Sequence, residues 1–252
     1  MRAVMEGRYA HVANHSNVPD WMAIETPAGE RHLPVYLLLD TSSSMQGAPI
    51  QAVREGLEQF QREVAADPFA REVVKVAIIT FSSDAQLLTE GLVPITAFKA
   101  PPLEASGVTR LDLAFDVLLE SLDRDVTQPV RGGQKGDWRP IVFVLTDGRP
   151  TDASGHQTDH LWIPARNRVV NREKGKIKPG IIVAVGCGPG VDEQTLKAIS
   201  TGVAFRMGTS EAAFVAFFQY LTQSIVSSVQ PGVTPDTAIP DVPLPPDIIR
   251  IP

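Results

Sequence analysis

The sequence predicts an α/β domain built on a mainly parallel sheet with helices on both faces. Three observations carry this. Four apolar runs, at residues 33–39, 73–81, 141–145 and 181–185, are short, nearly continuous and aliphatic or β-branched, as strands buried on both faces are. Amphipathic stripes at three- and four-residue steps lie between and after them. Strands alternating with helices imply right-handed crossovers between parallel neighbours.

The elements follow in chain order. Residues 1–32 are mixed and aperiodic, with His11, His15 and His32 and a turn-like Pro27-Ala28-Gly29; they read as an extension containing a short strand around 23–26. After the first strand, Ile50, Val53, Leu57, Phe60 and Val64 recur as one helical face. The strand at 73–81 is separated from a second short stretch, 86–89, only by Ser82-Ser83-Asp84. A link that short permits only an antiparallel neighbour, so 86–89 is expected at an edge. Leu111, Phe115, Leu118 and Leu122 mark the next helix; 161–172 is helix-compatible and weakly amphipathic, and 191–199 is a short helix. The last helix carries Phe214, Phe217, Phe218, Leu221 and Ile225 behind Thr209-Ser210-Glu211, a capped start.

The segment from Pro231 to Pro252 holds seven of the chain's 21 prolines. Proline removes amide donors and resists both helix and inner strand, so this segment is expected to be an extended tail that supplies no core layer. Ile248, Ile249 and Ile251 are its one strongly apolar cluster. Its removal is expected to leave thermal stability nearly unchanged. The organisation read from the sequence is thus an extension at 1–32, one domain at 33–229 and a proline-rich tail at 230–252.

Composition narrows the function. Of 252 residues, 43% are apolar and 21% charged, ordinary for a soluble protein with a core. The balance of 23 basic against 29 acidic residues gives −6, which argues against a nucleic-acid backbone or an anionic membrane as the main partner. No run approaches the roughly 18 apolar residues of a membrane span, and the first residues lack the basic and apolar regions of a secretory signal. The single cysteine excludes an intramolecular disulfide framework and a thiolate-rich zinc or iron–sulfur site. A cytoplasmic location is therefore expected.

In an open parallel sheet, ligands bind beyond the carboxyl ends of the strands. The first strand runs into Asp40-Thr41-Ser42-Ser43-Ser44, where an extended chain would point Asp40, Ser42 and Ser44 to one side. The strand at 141–145 ends in Thr146-Asp147-Gly148, and Ser106-Gly107-Val108-Thr109 opens the helix of Leu111 and Phe115. Two carboxylates and three hydroxyls at one rim form an all-oxygen set that suits a hard cation, Mg²⁺ or Mn²⁺. Neutral hydroxyls leave such an ion under-neutralised and able to take an outside anion.

The run Asp40-x-Ser42-x-Ser44, then Thr109 in a Gly-Val-Thr loop, then Thr146-Asp147-Gly148 resembles the metal-ion-dependent adhesion site of von Willebrand factor A domains. The likeness covers about residues 33 to 229 and implies a three-layer α/β/α fold, with a mostly parallel six-stranded sheet and one short antiparallel edge strand. Leu33 to Ser42, with Met45 and Gly47-x-Pro49-Ile50, is most similar to the bacterial tellurium-resistance TerY-type branch; Ser43 stands where that branch often has glycine. The resemblance implies that Ser42 and Ser44 bind the metal through their hydroxyls and that Thr109 does so in the ligand-ready state. It implies that Asp40 and Asp147 act mostly through bound water, and that a partner's Glu or Asp fills the open position. It further implies a protein–protein interaction module in a bacterial stress-response or tellurium-resistance-like system. The partner is then a protein kinase or phosphatase or, in the alternative, an AAA-type ATPase for which this chain is an adaptor.

Each feature also has a structural use. Ser42, Ser44 and Asp40 are helix-capping types, and Asp147-Gly148 is turn chemistry. His156 and His160, four apart in a loop-like segment without an HExxH glutamate, read as solvent-exposed, and Gly186-Cys187-Gly188-Pro189-Gly190 reads as a tight strand-to-helix turn without dinucleotide spacing. A Mg²⁺-dependent phosphohydrolase is the competing reading from another class. It needs a second acid two residues after its nucleophile, where this chain has Ser42, and no positioned acid or base is identifiable. No enzymatic activity is expected.

Overall fold

The structure is a computed structural model that describes residues 31–252 apart from 131, 132, 134, 191, 231 and 234–241. The strand expected at 23–26 lies outside the described residues. In chain order the elements are β1 (Leu33–Asp40), α1 (Ala48–Ala66), α2 (Ala70–Val73), β2 (Val74–Phe81), β3 (Ala85–Leu87), β4 (Val93–Pro94) and α3 (Leu111–Asp125). They continue with β5 (Ile141–Thr146), α4 (Trp162–Val170), β6 (Ile181–Cys187), α5 (Glu193–Ile199), β7 (Val203–Met207), α6 (Glu211–Ser228) and β8 (Ile248–Ile251). No described helix is long and apolar enough to cross a membrane.

One sheet runs β3-β2-β1-β5-β6-β7-β8, with β4 paired to β2 beside β3. β2, β1, β5, β6 and β7 are mutually parallel, whereas β3 and β4 run antiparallel to β2, and β8 antiparallel to β7. The mostly parallel α/β sheet expected from the sequence is present, with eight strands in place of six and three antiparallel edge strands in place of one.

β1 sits at the centre, pairing with β2 from Leu33↔Val74 to Asp40↔Phe81 and with β5 from Val35↔Ile141 to Leu39↔Leu145. All eight of its residues are buried. The two-residue strand period divides them: Leu33, Val35, Leu37 and Leu39 face the core under α1 and α6, while Tyr36 and Leu38 face the core under α3, α4 and α5. The helical stripes read from the sequence are the buried faces of α1, α3 and α6. Ser210 caps α6, its hydroxyl accepting from the Ala213 N–H at 3.2 Å.

Two packing details matter. A Cβ on Gly56 of α1 would lie 1.9 Å from the ring of Phe218 on α6, so glycine here lets the two helices approach. The tail, expected to add nothing to the core, instead returns to the sheet. β8 pairs Ile248 with Met207 and Ile251 with Ala204, and Ile248 and Ile251 are 4% and 7% exposed against 67% for Ile249. Ile248 enters the α1/α6 core and Ile251 the opposite one. The prolines stop at Pro246 and resume at Pro252, leaving five residues, β8 among them, with every amide donor free to pair.

Gly56→Ala is expected to lower the melting temperature by several degrees, because overpacking against a rigid buried ring costs about 1–3 kcal/mol and outweighs alanine's better helix propensity. Thermal unfolding followed by circular dichroism checks this, and an unchanged or raised midpoint contradicts it. Ile248→Ala combined with Ile251→Ala is expected to cost about 2 kcal/mol or more in a denaturant titration; a loss near zero means that β8 adds nothing to stability.

Candidate metal centre

β1 connects to β2 on one side, yet its other sheet neighbour is β5, much later in the chain. The carboxyl ends of β1 and β5 therefore flank the point where strand order reverses, the place where an open sheet offers a crevice. Three loops meet there.

The first leaves β1 through Asp40, which is 1% exposed. Its Oδ1 accepts the Ser42 N–H at 2.8 Å, and its Oδ2 accepts the Thr146 hydroxyl at 2.6 Å. Ser42 is still extended, but Ser43–Met45 is a 3-10 turn anchored by the fully buried Met45. The expectation of an extended chain through Ser44 is thus corrected. The turn, not the strand period, brings Ser44 Oγ to 3.1 Å from Ser42 Oγ. Gly47, at φ 83°, then reverses the chain into α1 in a conformation that L side chains rarely adopt.

The second loop is fastened to the first by backbone. Ser106 N–H donates to Thr41 O at 2.8 Å, and Gly107 O accepts from Ser43 N–H at 3.1 Å and from the Ser43 hydroxyl at 3.0 Å. Ser43 is therefore turned to Gly107 and away from the hydroxyl pair. Thr109, 6% exposed, exchanges bonds with Thr151: its N–H donates to Thr151 Oγ1 at 3.0 Å and its carbonyl accepts the Thr151 N–H at 2.9 Å. Thr109 Oγ1 lies 3.8 Å from where a Cβ on Gly148 would stand, which brings it against the third loop.

That loop carries Asp147, half-buried, whose Oδ1 accepts the Ser44 hydroxyl at 2.7 Å. Asp40, Ser42, Ser44, Thr109 and Asp147 are thus gathered by β1, β5 and the segment that opens α3. Ser42, Ser44 and Asp147 form a chain of oxygens with no link longer than 3.1 Å.

Burial pushes the Asp40 carboxyl up to about 6, against the hydrogen bonds from Ser42 and Thr146 that favour its ionised form; nearby Asp147 adds to the rise. Burial also raises Asp147, opposed by the Ser44 hydroxyl. Among the described residues neither carboxylate is ion-paired with a basic side chain. No group of three or more His, Cys, Asp or Glu gathers among them either. The donor set is two unpaired carboxylates and three hydroxyls, all oxygen, and it fits a hard divalent cation that would supply the missing positive charge.

The other sequence candidates sit elsewhere or do other work. His156 and His160 are exposed, and the His156 N–H donates to Asp152 Oδ1 at 3.0 Å. Cys187 is 1% exposed, and burial pushes its thiol well above the usual range, so it is a small buried group. Residues 186–190 form the tight turn expected, with Gly188 at φ 77°. Two residues that matter were not assigned from the sequence. Thr146 locks Asp40 to the end of β5, and Thr151 holds Thr109. A threonine between Leu145 and Asp147, at the end of an otherwise apolar strand, was the available signal for the first. Thr151 carries no such signal.

The family model of the von Willebrand factor type A domain matches residues 35–219. Among solved structures, the pilus adhesin SpaC from Lactobacillus rhamnosus GG, in its open conformation, aligns with a TM-score of 0.61 at 16% identity, over 80% of this chain and 31% of that one. A von Willebrand factor type A protein from Catenulispora acidiphila aligns at 0.56 and 14%, over 78% and 43%. The vWF domain of the type V pili tip protein Mfa5 from Porphyromonas gingivalis aligns at 0.52 and 12%, over 81% and 98%. The chain thus spans less than half the length of the first two. At these identities the likeness establishes the fold.

Ser42→Ala with Ser44→Ala is expected to abolish Mg²⁺ binding in calorimetry while leaving the far-UV spectrum unchanged, since hydroxyls at the rim carry little of the core. Unchanged Mg²⁺ affinity in the double variant would remove these residues from the site.

Proposed function

Because the chain belongs to the von Willebrand factor type A family, we propose that it is a metal-dependent recognition module that binds an acidic residue of a partner protein through Mg²⁺ or Mn²⁺ at Asp40, Ser42, Ser44, Thr109 and Asp147. Domains of this family often mediate protein–protein interaction, and the solved neighbours include a pilus adhesin and a pilus tip protein. The observation that supports the metal is the linked set Ser42, Ser44 and Asp147 beside buried Asp40, two carboxylates without a basic partner among the described residues.

When bound, the ion supplies a positive charge with a position left for an outside carboxylate. The chain's own residues prepare that position. Thr146 and the Ser42 amide fix both oxygens of Asp40. The Ser43 and Gly107 contacts hold the two hydroxyl-bearing loops together, and Thr151 fixes the backbone of Thr109. No side chain has to be recruited from a distance, so little ordering cost is left for the moment of binding. The setting we propose, on the strength of the TerY-type resemblance, is a cytoplasmic bacterial stress-response system whose partner is a protein kinase or phosphatase.

Affinity capture from the source cell's lysate tests this reading, run in Mg²⁺, in EDTA and with Asp147→Ala. A protein retained only with metal and intact Asp147 is expected. A partner held equally under all three conditions would overturn metal-dependent recognition at this rim.

A further inference from the structure

A cavity of about 300 Å³ opens beside the metal centre and shares Thr41 and Ser106 with its loops. Thr41 stands between Asp40 and Ser42, and Ser106 N–H is bonded to its carbonyl, so the wall of the cavity is also the outer wall of the candidate metal site. In the β1/β2 register Thr80 pairs with Leu39, next to Asp40. Adjacent strands lie about 4.8 Å apart, so the floor of the cavity is a short step from the site.

The chemistry of this cavity is one-sided. Asp84 and Glu104 are both exposed on its lining, no Lys or Arg lines it, and neither carboxylate is ion-paired among the described residues. Asp84 accepts one bond, from Gln86 Nε2 at 3.0 Å, and keeps its other oxygen open. An acidic rim alone would be solvated surface, but a second feature lies beneath it. Thr80 is 9% exposed, lines the cavity, and its hydroxyl has no hydrogen bond among the described residues. Strand alternation turns its side chain to the face of Val76 and Ile78, where Leu88 and Leu103 also pack and form the apolar part of the wall. An open acceptor deep in the pocket, an aliphatic wall and two carboxylates at the mouth match a side chain with an apolar stem and a cationic, hydrogen-bonding head.

We propose that this cavity receives a lysine or arginine of the partner protein, standing one or two residues from the Glu or Asp that the metal takes. The inference rests on the metal-dependent reading above and gives it a specificity: the partner motif is an acidic residue with a close basic neighbour. An extended peptide advances about 3.3 Å per residue, so a basic residue one or two positions from the acidic one stays close to a cavity whose wall shares Thr41 and Ser106 with the metal loops.

The test uses the immobilised full chain and a phage-displayed peptide library with a fixed central Glu between randomised positions, selected in Mg²⁺ and eluted with EDTA. The expected result is metal-dependent recovery with Lys or Arg enriched roughly fivefold within two positions of the Glu, the scale of one partly exposed ion pair. Asp84→Asn with Glu104→Gln is expected to keep the metal-dependent recovery, the Mg²⁺ affinity in calorimetry and the melting temperature, and to lose the basic enrichment. Metal-dependent recovery without basic enrichment, or enrichment that survives in the double variant, overturns the role of the cavity and leaves the metal-dependent reading standing. No metal-dependent recovery at all overturns that reading, and this inference with it.

Discussion

The arrangement depends on one buried carboxylate. β1 is enclosed on both faces and both edges, and it ends in Asp40, 1% exposed. A carboxylate so placed must have its oxygens satisfied or lose its charge. Ser42 N–H and the Thr146 hydroxyl do this, one from the loop that follows β1 and the other from the end of β5. The bond to Thr146 crosses the point where strand order reverses, so the interaction that makes Asp40 tolerable also holds together the two sides of the crevice. The hydroxyl pair Ser42 and Ser44 and the carboxylate of Asp147 then fall into contact because their backbones are already fixed.

Much of this was legible in the sequence, for reasons that particular residues make plain. β1, β2, β5 and β6 are buried on both faces and so stand out as unbroken apolar runs. The faces of α1, α3 and α6 repeat at helical spacing because each meets one side of the sheet. The edges were less legible. β7 has a half-buried Val203 and an exposed Arg206, which weakens its apolar signal, and β4 is two residues ending in a proline. β8 hides among prolines although none falls within it. Its burial comes from long-range pairing with β7, which no local pattern announces.

At the rim, the five candidate residues could be named from spacing, but not how they meet. A period-two strand would have aligned Asp40, Ser42 and Ser44, whereas the 3-10 turn after Ser42 does so by folding back. That turn depends on Met45 reaching the core and on Gly47 adopting a positive φ, features that lie after the motif. Thr151, by contrast, acts on Thr109 through the backbone from 42 residues away, a separation at which sequence spacing carries no information.

The return of β8 to the sheet has a consequence beyond the isoleucines it buries. β7 is the last parallel strand on its side, and β8 covers the outward row of amides and carbonyls from Ala204 to Met207. Exposed rows of that kind are templates for pairing with another chain, and proteins suppress them with short, charged or covered edges. Here the cover is four residues long, with Arg250 and an exposed Ile249 on its outer surface. It is short enough to be a poor template itself. Protection of that edge against pairing with another chain therefore depends on the least extensive strand on that side of the sheet, in a segment whose composition alone marks it as dispensable.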